Sequence, residues 1–237
     1  MPYVPRTRRA HAFTLIELLA VIAIIGILSA LLYPAISKMQ EKAKVTKKVS
    51  NLRQIWIAHA LYVGDNDGRI VPAQDYSDRG NRVESNRMNW RSCIAKYLLA
   101  ADTVDTSEAN KMQIFIDPCF KSYDANSPTR TGFAMNVRPG LPDDKSENAY
   151  WAGSSSIAKD FRLIAITDAS RRIFLADSAT EWFFGTSGKP ASTDGVLDMT
   201  RHENGKKGMA LMYDGSTKLL TVGDAALASS DPQKLQL

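Results

Sequence analysis

One carboxylate stands inside an apolar run. Glu17 lies near the start of Phe13–Tyr33, FTLIELLAVIAIIGILSALLY, and is its only charge. A charge in hydrocarbon costs about 2.5–3.5 kcal/mol at a helix centre, so it needs a partner or a route to water. Two readings stay open: a carboxylate snorkelling to the headgroups, or one that waits for a cation from another subunit. Elsewhere, residue types that do chemistry are sparse. The histidines are His11, His59 and His202. His202 with Asp214 could form an acid–base pair or half of a metal site; more often such a pair fixes a loop against a hairpin. There is no G-x-S-x-G elbow, no C-x-x-C, no H-E-x-x-H and no glycine-rich phosphate loop. The sequence therefore offers no catalytic set, no metal site and no cofactor site, and argues against an enzyme. Ser154, Ser155 and Ser156 after Gly153 read as loop. The run Asp65-Asn66-Asp67-Gly68 has the opening of a calcium loop, but Tyr76 stands where the bidentate Glu belongs, which favours a turn. Cys93 and Cys119 could bridge or could be two separate buried hydrophobes, since sequence does not give their distance.

The elements that must position these residues begin with the apolar run. As a helix, its 21 residues span roughly 31 Å, close to the ~30 Å hydrocarbon core of a bilayer. The core is too long for a secretory signal peptide and no A-x-A-like site follows it closely. Periodic sequence resumes beyond Pro34: Ile36, Met39, Ala43, Val45, Val49, Leu52, Trp56 and Ala60 recur at spacings of three and four. One helix is thus expected from 13 to about 63, kinked at Pro34, with 13–33 in the membrane. Lys38, Lys42, Lys44, Lys47 and Lys48 read as a solvated face, with lipid headgroups or an acidic neighbour as the lesser reading.

The leader MPYVPRTRRAHA, the junction Ala12-Phe13, the run FTLIELLAVIAIIGILSALLYP and Pro34 at the 22nd position from Phe13 together resemble a class III prepilin signal. That is the N-terminus of type IV pilins and type II secretion pseudopilins. The resemblance implies that a prepilin peptidase cuts between Ala12 and Phe13 and methylates the new amino group of Phe13. It implies that Glu17 pairs with the amino terminus of a neighbouring subunit. It also implies a homo-oligomeric fibre, with other pilin-like subunits and an assembly platform in the inner membrane. The family has Gly before the cut where this chain has Ala12. A second resemblance covers EKAKVTKKVSNLRQIWIAHALYVGDNDGRIVP. It is similar to the post-membrane helix of pilin-like families with a C-terminal H-X9-DG processing-associated motif, through Asn51, Leu52, Arg53, Gln54, Tyr62, Asp65, Gly68 and Pro72. Their usual Cys three residues before the Asn is Lys48 here. The C-terminal motif is a variant: His202 precedes Asp214-Gly215 by eleven intervening residues instead of nine, with the extra two placed in Asn204-Gly205-Lys206-Lys207.

Charge gives a conflicting orientation. Three arginines precede the apolar run, whereas Lys38, Lys42, Lys44, Lys47, Lys48 and Arg53 follow it, which by itself would keep the large domain in the cytoplasm. The prepilin resemblance implies the reverse, a single-pass inner-membrane protein with its head in the periplasm. Without Arg6, Arg8 and Arg9 only about two of the formal +5 charges remain, so the basic balance gives no reason to infer nucleic-acid binding.

The fold class expected is α+β: a leader (1–12), a long N-terminal transmembrane and assembly helix (13–63), and a globular head (64–237) with an antiparallel sheet and a disordered tail from Ala225. Trp90–Ala101 reads as a helix. Strands are expected at Gln113–Ile116, Gly132–Met135, Phe161–Ile166 and Arg171–Ala176, the last two joined as a hairpin by Thr167-Asp168-Ala169-Ser170. Gly208–Tyr213 and Ser216–Val222 read as a hairpin with a two-residue Asp214-Gly215 type I′ turn. Loops fill 74–89, 137–160 and 182–198. The functional reading is a structural fibre subunit. The alternatives are a secretion pseudopilin, a minor tip subunit whose loops 137–160 and 182–198 bind a surface, and a membrane-anchored enzyme.

Overall fold

Helix α1 runs Leu15–Asp65 and passes through Pro34. Its N-terminal part is apolar all round; from Val45 the apolar positions narrow to one stripe. The computed structural model describes residues 15–72, 74–75, 88–102, 104–121, 131–136, 151–152, 162–166, 168–178, 183–184, 198, 200–203, 205–221 and 223–224. Residues 1–43 and 44–237 are separate compact units. In the first, the large apolar side chains from Leu15 to Tyr33 are exposed, and the helix is long and apolar enough to cross a bilayer.

In the second unit, α1 buries Lys48, Asn51, Leu52, Ile55, Ala58 and His59. They recur every three to four residues, singly or as adjacent pairs, so they share one face. Burying Leu52 and Ile55 contributes about 1.5–3 kcal/mol each. The helix ends two residues later than Val63, where the Gly68 N–H reaches the Val63 carbonyl at 2.9 Å and both Asp67 and Gly68 have positive φ.

The remaining elements are β1 (Gln74–Asp75), β2 (Met88–Asn89), α2 (Trp90–Leu99), α3 (Thr106–Lys111), β3 (Phe133–Asn136), β4 (Trp151–Ala152), β5 (Ile173–Asp177), β6 (Phe183–Phe184), β7 (Gly208–Met212) and β8 (Thr217–Leu220). The main sheet has the order β6-β3-β5-β7-β8; β3, β5, β7 and β8 are antiparallel and β6 adds parallel to β3. A second, three-stranded sheet has the order β2-β1-β4. The layout is α+β, a long apolar helix followed by a head with a four-stranded antiparallel sheet. Helix α2 starts where Asn89 caps the N–H groups of Arg91 and Ser92, with Ser92 bonding back to the Asn89 N–H. It ends at Ala100, whose φ of 50° is left-handed. The core joins α1, α2 and the sheet through Leu52, Ile55, Trp90, Ile94, Phe133 and Phe174.

Three expected elements differ. Gln113–Ile116 is a pair of turns, because the N–H groups of Phe115 and Ile116 bond to Met112 and Gln113 while Phe115 packs edge-on to Trp90. Within 161–166, Leu163–Ala165 is a 3₁₀ turn whose Leu163 N–H bonds to Gly68, so that segment meets the chain leaving α1. No hairpin joins it to β5: Asp168 is left-handed and opens a second 3₁₀ turn, Ala169–Arg171, and β5 pairs with β3 and β7. The last hairpin is present, but its loop is longer than two residues. Gly215 N–H bonds to Met212, Met212 N–H to Ser216, and only Gly215 has positive φ, which is a type I turn closed by a left-handed glycine.

Candidate functional site

Lys48 enters the head at the start of the buried stripe of α1, fully buried. A lysine there needs acceptors, because an unpaired buried ammonium is costly. It has three. Its Nζ lies 2.9 Å from Asp117 Oδ2, 2.5 Å from Asp177 Oδ1 and 3.0 Å from His202 Nε2. The Phe133 ring covers the ammonium, with its centroid 5.5 Å from Nζ. This corrects the solvated-face reading: Lys42, Lys44 and Lys47 are exposed, and Lys48 alone of that run turns inward.

The two carboxylates come from a turn and a strand. Asp117 follows the turns after α3; its Oδ1 accepts the Cys119 N–H and its own N–H bonds to Thr131. Asp177 ends β5, and its Oδ2 accepts the Met209 N–H at 2.9 Å from neighbouring β7. Arg201 closes the cluster. Its Nη1 reaches Asp117 Oδ2 at 2.5 Å and the Gly132 carbonyl, its Nη2 the Ser178 carbonyl, and its Nε Asp198. Burial alone would raise the Asp177 carboxyl, but the Lys48 ammonium, the His202 hydrogen bond and Arg201 outweigh it and hold it below the usual carboxylate range. Burial opposes the Arg201 charge too, yet Asp177 and Asp117 keep it firmly protonated.

His202 sits with its Nε2 3.2 Å from Asp177 Oδ2, as well as beside Lys48. A bridge between His202 and Lys207 closes the loop in which the two extra residues were expected. Asp214 is not its partner. Asp214 is exposed and accepts from the N–H and hydroxyl of Ser216, shaping the last turn. The two halves of the C-terminal motif therefore act separately, and both reach α1. His202 meets Lys48, and Gly215 lies on the indole of Trp56.

Of the other sequence-singled residues, Glu17 is exposed in the first turn of α1. Ala12 and Phe13 lie outside the described residues, as do most of loops 137–160 and 182–198 and the tail from Ala225. Cys93 is buried in α2 and Cys119 is half-buried. Burial and nearby Asp117 raise the Cys119 thiol. His59 is buried between Trp56 and Phe174, with ring centroids at 5.1 and 4.4 Å, and neither ring nitrogen has a hydrogen-bond partner. Sequence reasoning missed Lys48, Asp117, Asp177 and Arg201. The one available signal was a lysine on the apolar stripe, three residues before Asn51.

Comparison with known proteins bears on the N-terminal part. The family model of the prokaryotic N-terminal methylation motif matches residues 7–33. By this segment the chain is similar to pilins and pseudopilins. It is 35% identical over 92 residues to the type IV major pilin protein PilA of Myxococcus xanthus, covering 37% of this chain and 39% of that protein. It is 39% identical over 59 residues to type II secretion system core protein G of Pseudomonas aeruginosa, covering 25% of this chain and 42% of that one. The pilin-like chain thus spans about two fifths of the length of each of these relatives. No solved structure matches it. The charge cluster and both halves of the C-terminal motif lie beyond the methylation motif, in the head of this pilin-like chain.

Proposed function

We propose that this pilin-like chain is a structural subunit of a type IV pilus-like fibre. The observation that carries the reading is the methylation motif over residues 7–33, with Glu17 as the single charge in its apolar run. Prepilin peptidase cuts between Ala12 and Phe13 and methylates Phe13. Before assembly, residues 13–33 sit in inner-membrane lipid with the head in the periplasm. At the assembly platform the helix leaves lipid for a bundle of its neighbours' helices, exchanging one apolar surrounding for another. Glu17 takes the amino terminus of an adjacent subunit as its cation, and a misregistered subunit leaves both charges buried and unpaired, which sets axial register.

The head's part in this reading is to keep its hold on α1. The Lys48 cluster and the Gly215–Trp56 contact are two attachment points on the helix. No catalytic step is assigned to it. The similarity to core protein G favours a second reading, a pseudopilin in a short periplasmic pseudopilus. Glu17→Gln tests assembly directly. The variant inserts in the membrane at the wild-type level, and sheared fibre or pseudopilus falls at least tenfold; normal assembly contradicts the pairing. Imaging the wild-type assembly separates a surface fibre from a periplasmic one.

A further inference from the structure

The Lys48 amine and the Asp177 carboxyl meet in a setting suited to more than an ion pair. Both side chains are fully buried, and Nζ lies 2.5 Å from Oδ1. The far oxygen, Oδ2, is held by the Met209 N–H at 2.9 Å, with His202 Nε2 at 3.2 Å. A second carboxylate, Asp117, contacts the same Nζ at 2.9 Å and can take and return its protons. The Phe133 ring helps to close the site.

We propose that Lys48 Nζ and the Asp177 carboxyl condense into an isopeptide bond that joins α1 to β5. The ammonium passes one proton to Asp117. The freed lone pair attacks Asp177 Cγ, forming the C–N bond, while negative charge on Oδ2 is stabilised by the Met209 N–H and His202. Asp117 delivers that proton to Oδ1, then relays a second from the nitrogen. The Cγ–Oδ1 bond breaks and one water leaves, containing Oδ1 and two of the three ammonium protons. Asp117 is regenerated as a carboxylate, the amide keeps one N–H, and no oxidant or cofactor enters. One positive and one negative charge vanish together, and Arg201 stays paired with Asp117 and Asp198.

Two physical effects favour the step. Holding the reacting groups in contact is equivalent to effective molarities of about 10⁵–10⁸ M. A buried ion pair also bears a desolvation cost that a neutral amide largely escapes. The competing force is the same set of charges that stabilises the ion pair, which is why the proton relay through Asp117 is required.

Mass spectrometry of the full chain, purified in detergent and then denatured, tests this. The expected mass is lower than that of the sequence from its actual N-terminus by one water, about 18 Da, with the Lys48 and Asp177 peptides joined after digestion. Asp67-Gly68 and Asp214-Gly215 can also lose water as succinimides, but those join no peptides and reopen in mild base. Lys48→Arg restores the full mass, and Asp117→Asn lowers the linked fraction of freshly made protein at least tenfold, as loss of a proton-transferring group should. A wild-type chain of full mass overturns the proposal, as does a dehydrated chain with no joined peptide or one joined through Asp117.

Discussion

Gly215 and Trp56 occupy each other's space. A Cβ on Gly215 would fall 2.6 Å from Trp56 Cδ1 and 2.8 Å from Cε2, and the glycine holds φ at +86°. The Asp-Gly pair thus meets two demands, a left-handed turn and a flat place for an indole. Gly215→Ala should destabilise the full chain by about 2–4 kcal/mol, the sum of left-handed strain and overpacking. In a Trp56→Leu background the same change should cost about 1–2 kcal/mol, strain alone. Urea unfolding in detergent measures both, and equal costs in the two backgrounds would remove the contact from the account.

In the uncondensed chain Lys48 neutralises buried carboxylates that no solvent reaches. Lys48→Met leaves Asp177 with only part of its compensation, and the full chain should lose about 3–5 kcal/mol. Adding Asp177→Asn keeps an acceptor for the Met209 N–H and removes the stranded charge. The double variant should then lose clearly less than the two single losses combined. Additive losses would mean that the pair is not coupled.

His59 makes stability depend on pH. Burial among Trp56, Phe174 and Tyr213 lowers its pKa from 6.5 to about 3. Between those values the unfolded chain binds a proton that the folded chain refuses. Stability should be flat above pH 6.5 and fall below it, by up to about 1.4 kcal/mol per pH unit, until about pH 3. His59→Phe should flatten this slope over pH 4–6.5 in unfolding titrations; an unchanged slope would place the proton elsewhere.

Local patterns were legible in the sequence, and long-range polar pairings were not. The 21-residue apolar run and the spacing of Leu52, Trp56 and their neighbours define α1, since helical periodicity is a local property. Trp90–Ala101 and the last hairpin were readable for the same reason. Gln113–Ile116 looked like a strand because Ile114, Phe115 and Ile116 favour extended structure, but packing against Trp90 fixed a turn instead. Lys48 could not be told from Lys47 by composition. Only the fold brings Asp117, Asp177 and His202 to it, across 69 to 154 residues of chain. His202 and Asp214, close in sequence, end up serving different contacts.

The central claim is that this chain is matured as a prepilin and assembles through its N-terminal helix. Intact mass and N-terminal sequencing of the protein recovered from the membranes of its own cells test it most directly. The account predicts a chain that begins at N-methyl-Phe13. A chain that still carries Met1 to Ala12, in cells with an active prepilin peptidase, would contradict it and remove the pairing role of Glu17.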